Sequence, residues 1–283
     1  MLKECKISGF SDEIDQNIDK QIDVLQEIGQ KYIELRNADG TNVSDLTIKQ
    51  AEAVYDKLTT AGIRVSSIGS PIGKINICDD FAPHLSLLDH TLELAQLFET
   101  PYIRMFSFYI PERKAADYEA EVFRRTEQMI EHAAKKNITL LHENEKGIYG
   151  DIAVRCKNLM EHFYGDNYKA VFDFANFVQC GQDTLKAYEM LHPYIEYVHV
   201  KDARQADGEV VLAGDGDGNV KELLQKLDTD GYHGYLSLEP HLSNFVGFDR
   251  LEQGKSEKRF TDEIAAYKSA YGRLQQLLIS PNM

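Results

Sequence analysis

The sequence predicts an α/β protein, a single-domain (β/α)8 TIM barrel over residues 1–283. Three observations predict it. Short β-rich runs alternate with amphipathic helical stretches along the chain, a pattern that calls for parallel strands joined by helical crossovers. About eight such runs fit a length usual for one closed barrel, which leaves no sheet edge unpaired. The first turn, GFSDEI, lacks the GxGxxG pattern with which an open doubly wound sheet usually begins.

The predicted strands are Cys5–Phe10, Tyr32–Asn37, Arg64–Gly69, Tyr102–Phe108, Ile138–Asn144, Lys169–Phe174, Ile195–Lys201 and Tyr235–Pro240. Helices lie between them. Ile14, Ile18, Ile22, Leu25 and Ile28 recur at three- and four-residue steps and make one apolar stripe. Leu87, Leu88, Leu92, Leu94, Ala95 and Leu97 form a wider face, and Val122, Met129, Ile130 and Ala133 continue the pattern. A last helix is predicted from about Thr261 to Leu278. No linker, charge block or low-complexity stretch divides the chain.

Composition bounds the function. The formal net charge is -15, which argues against nucleic acid and against anionic membrane surfaces. No stretch approaches the roughly 18–20 apolar residues needed to span a bilayer. The opening segment MLKECKISGF has neither a long apolar region nor a small-residue cleavage site. Cys5, Cys78, Cys156 and Cys180 are scattered, with no CxxC spacing, so free thiols are expected and a cysteine zinc site is not. These features together predict a cytoplasmic protein.

In a parallel barrel the active site lies at the carboxyl ends of the strands. The fifth to eighth predicted strands end in LLHENEKG, VFDFAN, YVHVKDAR and SLEPH. They deliver Glu143, Asp173, His199 and Glu239. Each alone has a plainer explanation, since an acid after a strand is often a helix N-cap and a histidine can be a satisfied core residue. On four consecutive strands they converge, and three carboxylates in one place repel unless a cation sits among them. Three oxygen ligands and one imidazole suit Mn2+, Mg2+ or Co2+ and admit Zn2+.

Other residues are candidates for substrate binding. Arg104, among apolar strand residues, needs an anionic or polar partner, either substrate or an ion pair in the barrel wall. Glu13 either reaches the mouth or starts a helix. Lys201 and Arg204 follow His199 and either touch substrate or are solvated loop charges. His241 lies two residues after Glu239, a spacing that strand alternation puts on one face. Phe106, Phe108, Tyr109, Tyr149, Phe174, Phe177 and Phe245 are read mainly as packing, a few as a wall against a sugar face. The AGDGDGNV segment invites a phosphate-loop reading, but Asp215 and Asp217 would repel phosphate. It is read as a turn into a helix at about Val220, capped by Asn219.

The segments GFSDEI, YIELR, IRMFSFY, LLHENEKGIYGD, VFDFANFVQCG, YVHVKDA and YLSLEPH resemble the sugar phosphate isomerase/epimerase superfamily, the xylose isomerase-like barrels, over nearly the whole chain. The resemblance implies that Glu143, Asp173, His199 and Glu239 bind one divalent metal, and that Glu143 and Glu239 also serve as an acid/base pair. The implied reaction is isomerisation or epimerisation of a small sugar or polyol through an enediolate. A lyase or dehydratase acting on a cyclic polyol or an oxidised glycoside would use the same metal site. A non-catalytic metal-binding barrel is the alternative of another class. Many members carry a histidine three residues after the metal aspartate, where this chain has Asn176. That departure, with the acidic charge, counts against the endonuclease branch, which needs further histidines. Barrels of this type often form dimers or tetramers, so a homo-oligomer is also expected.

Overall fold

Ser8, Ser66, Tyr197, Ser237 and Glu34 project into the interior of a barrel whose outer surface is apolar. The computed structural model describes residues 2–246 and 260–279. The barrel strands are β1 (Lys6–Gly9), β2 (Tyr32–Leu35), β3 (Arg64–Gly69), β4 (Tyr102–Met105), β5 (Thr139–Glu143), β6 (Tyr168–Asp173), β7 (Ile195–Val200) and β8 (Tyr235–Leu238). All ladder pairings between them are parallel. They run β2–β3–β4–β5–β6–β7–β8–β1, and β1 returns to pack beside β2. The barrel is therefore nearly closed, and every predicted strand is present.

The helices are α1 (Ile18–Ile28), α2 (Ile48–Thr60), α3 (Ala82–Leu97), α4 (Ala115–Ala134), α5 (Ala153–Phe163), α6 (Phe174–Gln179), α7 (Thr184–Leu191), α8 (Val220–Thr229) and α9 (Glu263–Ile279). Asn17 caps α1 by accepting from Asp19 N–H and Lys20 N–H, and Gly29 ends it in the left-handed region. Thr47 and Gln50 form a reciprocal capping box on α2. The stripes read from sequence face inward. Ile18, Ile22 and Leu25 of α1, Leu88, Leu92, Leu94 and Ala95 of α3, and Val122, Met129 and Ala133 of α4 are buried against the strands. None of the described helices is long and apolar enough to cross a membrane.

Seven of the eight strands end one to three residues sooner than predicted, and at β2 and β4 the chain takes a different course. After Leu35 the chain leaves the barrel, and Asn37–Ala38 pairs with Thr41–Asn42 in a small hairpin. After Met105 the backbone turns to the loop behind β3, with Phe106 N–H donating to Ile72 and Phe108 N–H to Gly73. This crossing demands glycine at 73. Its φ is +87°, and a Cβ there would lie 1.9 Å from the Phe106 carbonyl oxygen.

The polar interior sits beneath the mouth. Ser66 Oγ lies 2.6 Å from Ser8 Oγ and 2.8 Å from the Tyr197 hydroxyl, and it donates to the Ile33 carbonyl. Ser237 donates to Glu34. Below this layer Tyr197 stacks on Tyr235, and Tyr102 packs edge-on against both.

Candidate metal centre and active site

Glu143 and Asp173 are the last residues of β5 and β6, His199 is the penultimate residue of β7, and Glu239 directly follows β8. Parallel pairing sets Asp173 opposite His199 and His199 opposite Ser237. All four side chains are buried, and one ligand atom from each lies within 4.8 Å of the other three. His199 Nδ1 is the hub. It lies 3.1 Å from Glu143 Oε1, 3.8 Å from Glu239 Oε2 and 4.0 Å from Asp173 Oδ2.

The donor set fits a divalent cation. The Glu34 carboxylate lies 3.0 Å from His199 Nε2. A carboxylate only accepts, so Nε2 carries the proton and Nδ1 faces the cluster as a ligand; this is the carboxylate–histidine pairing seen behind metal ligands. His199 Nδ1 and Asp173 Oδ2 are both buried without a hydrogen-bond partner. A cation among the four residues would satisfy both atoms.

The protein's own charges make the site crowded. Burial pushes the Asp173 carboxyl up to about 7, opposed by Lys201 and reinforced by Glu239 and Glu143. Glu143 is burdened by the same burial, yet His199 and Arg104 hold it down to about 2. Burial also opposes charge on His199, but Glu34 and Glu143 raise it well above the usual imidazole value. A buried cluster this polarised is typical of functional sites.

Asp173 resolves a choice that the sequence left open. Its Oδ1 caps α6 by accepting from Asn176 N–H at 2.7 Å, while Oδ2 lies 4.0 Å from His199 Nδ1. One carboxylate is both cap and candidate ligand. Asn176, in turn, donates through Nδ2 to Glu143 Oε1 and to the Asn144 carbonyl.

Most of the remaining candidates come together here. Arg104 Nη1 bonds Glu143 Oε2 at 2.9 Å. Lys201 Nζ lies 2.8 Å from Glu239 Oε2 and 3.2 Å from Asp173 Oδ2. Glu13 does not start α1. It ends a short turn of 3-10 helix at the mouth, where it accepts from His241 N–H at 2.8 Å. Burial raises its carboxyl to about 7 against the pull of His241 and Arg36. His241 Nε2 lies 3.4 Å from Glu239 Oε1, but not through strand alternation. The strand has already ended, and a left-handed turn at His241 (φ 47°) brings the ring back. Arg204 stays apart from this cluster, half-exposed and paired with Asp207 and Glu209. Of the aromatics, Phe106, Phe108, Tyr149, Phe174 and Phe177 are fully buried.

Sequence reading missed Glu34, Arg36, Asp12, Lys74 and Glu145. Arg36 bonds Asp12 through Nε at 2.8 Å and approaches Glu239 Oε1 at 3.4 Å. Lys74 pairs with Glu145 at 3.0 Å. The available signal was YIELR, where charges two apart share one face of an otherwise apolar strand.

The glycine-rich segment leads into α8 at Val220, as expected, but Asn219 is no side-chain cap. Its φ is 53°, and its amide donates to Thr184 Oγ1. The segment wraps the buried Asp202 carboxylate instead. Oδ2 accepts from the Gly214 and Gly216 N–H groups, and Oδ1 from those of Ala203 and Gly218.

Fold and site together define a parallel barrel with a buried three-carboxylate, one-imidazole cluster at its mouth. The chain belongs to the xylose isomerase-like TIM barrel family, whose model matches residues 22–270. A 3-dehydroshikimate dehydratase from Bacillus anthracis is 24% identical over 174 residues, which are 59% of this chain and 61% of that protein. The match therefore spans less than two thirds of that relative. Among solved structures, an L-ribulose 3-epimerase superposes with a TM-score of 0.75 at 18% identity, over 98% of this chain and 95% of that one. The IOLI protein, solved with a zinc atom, also gives 0.75, at 13% identity over 98% and 99%. At these identities the structural likeness is one of fold.

Proposed function

We propose that this protein is a metal-dependent enzyme that removes a proton next to a carbonyl of a small polyol or sugar and returns it elsewhere, as an isomerase or epimerase. The observation that carries the reading is the buried quartet, in which His199 Nδ1 and Asp173 Oδ2 make no hydrogen bond and lie 4.0 Å apart, with Glu143 Oε1 and Glu239 Oε2 also within 4.0 Å of Nδ1. Glu143, Asp173, His199 and Glu239 would hold one Mn2+, Mg2+, Co2+ or Zn2+ ion. Such an ion supplies Lewis acidity, which acidifies the C–H beside a carbonyl.

The chain's own residues supply the rest. Glu143 and Glu239 come from β5 and from the end of β8, so they approach the centre from different sides. One takes the proton and the other delivers it. Delivery to the opposite face of the same carbon gives epimerisation; delivery to the neighbouring carbon gives isomerisation. Arg104 and Asn176 hold the two oxygens of Glu143, and Lys201, Arg36 and His241 surround Glu239, so both carboxylates are pre-oriented. The four free cysteines fit a reducing compartment, and we place the enzyme in the cytosol.

A second reading, loss of a β-hydroxyl from a cyclic substrate after the same proton abstraction, is favoured by the relative described as a 3-dehydroshikimate dehydratase. The test has two stages. Purified wild type, His199→Ala and Glu239→Gln are compared by elemental analysis after loading with Mn2+ or Zn2+. About one ion per wild-type chain, reduced in the variants, supports the site. Keto-sugars and keto-polyols are then screened for deuterium uptake in D2O, and product analysis separates rearrangement from dehydration. A wild-type protein that takes up no divalent ion ends the proposal. Metal uptake with no exchange on any carbonyl substrate leaves a non-catalytic metal-binding barrel.

A further inference from the structure

A row of basic side chains runs along one side of the quartet. Arg36 follows β2, Lys74 lies in the loop after β3, and Arg104 is in β4. Arg36 and Arg104 are only 5% and 4% exposed, in a chain whose net charge is -15. Two rings link them. The guanidinium carbons of Arg36 and Arg104 lie 4.5 and 5.2 Å from the Phe10 centroid. Arg104 and the Lys74 ammonium lie 4.6 and 4.2 Å from the Phe106 centroid.

These cations are unequally satisfied. Lys74 has Glu145, and Arg36 has Asp12, Glu13 and Glu239 nearby. Among the described residues Arg104 has a single carboxylate, Glu143, and that one belongs to the quartet. Arg104 Nε is a buried donor without an acceptor; Arg36 Nη2 makes no hydrogen bond either, but it has Glu13 Oε1 at 3.5 Å. Leaving a charged N–H unpaired and out of water is unfavourable, so such donors point to an acceptor that arrives with the ligand. A neutral polyol offers only hydroxyl oxygens. A carboxylate offers two acceptors in a plane, the geometry that matches a guanidinium fork.

We propose that the substrate is a hydroxy-keto acid whose carboxylate binds Arg104, with Lys74 and Arg36 flanking it. The proposal rests on the metal-dependent reading above and narrows its substrate class. A phosphate is disfavoured by the same structure. Barrel phosphate sites draw on backbone N–H groups of the late loops, and after β7 the N–H groups of Gly214, Gly216 and Gly218 are already bound to Asp202.

The test uses Mn2+-loaded full-length protein and calorimetry. The probes are shikimate and methyl shikimate, gluconate and sorbitol, and inorganic phosphate. In each organic pair the two molecules differ chiefly in the carboxylate. At least one acid should bind about tenfold or more tightly than its uncharged partner, the scale of one charge-assisted hydrogen bond. Arg104→Gln should abolish that preference while still taking up Mn2+, and Arg104→Lys, which keeps the charge but loses the fork, should retain part of it. Equal binding of acid and neutral partner, no binding of any acid at millimolar concentration, or phosphate outcompeting the acids overturns the proposal. So does an acid preference that survives in Arg104→Gln, since the carboxylate would then sit on the metal. Failure of the wild type to take up Mn2+ would instead strike the metal-dependent reading itself.

Discussion

Asp202→Asn offers a test whose magnitude follows from counted contacts. The carboxylate accepts four backbone N–H groups, at 2.8 Å from Gly214, 3.1 Å from Gly216, and 2.9 Å each from Ala203 and Gly218. In asparagine one oxygen becomes an NH2 group. Two bonds to a charged acceptor are lost, and two inward-facing N–H groups then meet a donor. At roughly 1–3 kcal/mol for each unsatisfied group, with some relaxation of the turn, the substitution costs about 2–5 kcal/mol. At about 2 °C per kcal/mol for a large domain, the melting temperature falls by about 4–10 °C. Thermal unfolding followed by circular dichroism measures it. Gly216→Ala is the companion variant, because its Cβ would lie 2.5 Å from Asp202 Oδ1 and 2.6 Å from the Ala203 carbonyl oxygen. A loss under about 1 kcal/mol in Asp202→Asn would mean that the glycines hold the turn unaided and that the cage contributes little. The loop matters to the site because Lys201 immediately precedes Asp202.

Two further outcomes follow from particular contacts. Glu34→Gln keeps the size of the side chain but removes the charge behind His199, so affinity for Zn2+ or Mn2+ should fall about 10–100-fold by calorimetry; unchanged affinity would show that Glu34 is only a filler of the barrel interior. His84 accepts the Gly73 N–H through Nε2 at 2.7 Å, and burial, aided by Arg125, lowers its pKa to about 4. The unfolded chain protonates this histidine near pH 6.5 and the folded chain does not until about 4, so acidification through that window binds protons to the unfolded state and reduces stability. In urea titrations His84→Gln should therefore lose less stability than wild type between pH 7 and pH 4.5, and parallel losses would reject the assignment.

The eight strands and the four candidate ligands were legible from local sequence because both depend on local rules. Helical stripes recur every three or four residues, strands are short β-rich runs, and a parallel barrel puts its chemistry at the strand ends. Glu143, Asp173, His199 and Glu239 lie at or within one residue of such ends. What surrounds them was decided by closure of the barrel. His199 meets Glu34 from 165 residues away, and Arg36 meets Glu239 from 203. No periodicity reports which strand will face which across a barrel mouth. Asn219 was misjudged, and the two readings of Glu13 stayed open, for a related reason: local propensity described the turns they occupy, while long-range partners, Thr184 and His241, captured their side chains. The glycine-rich turn was legible as a turn. That it encloses the protein's own Asp202 depended on tertiary structure, since a buried carboxylate must find N–H donors and, beyond that of Ala203, those it found lay 12–16 residues farther along the chain.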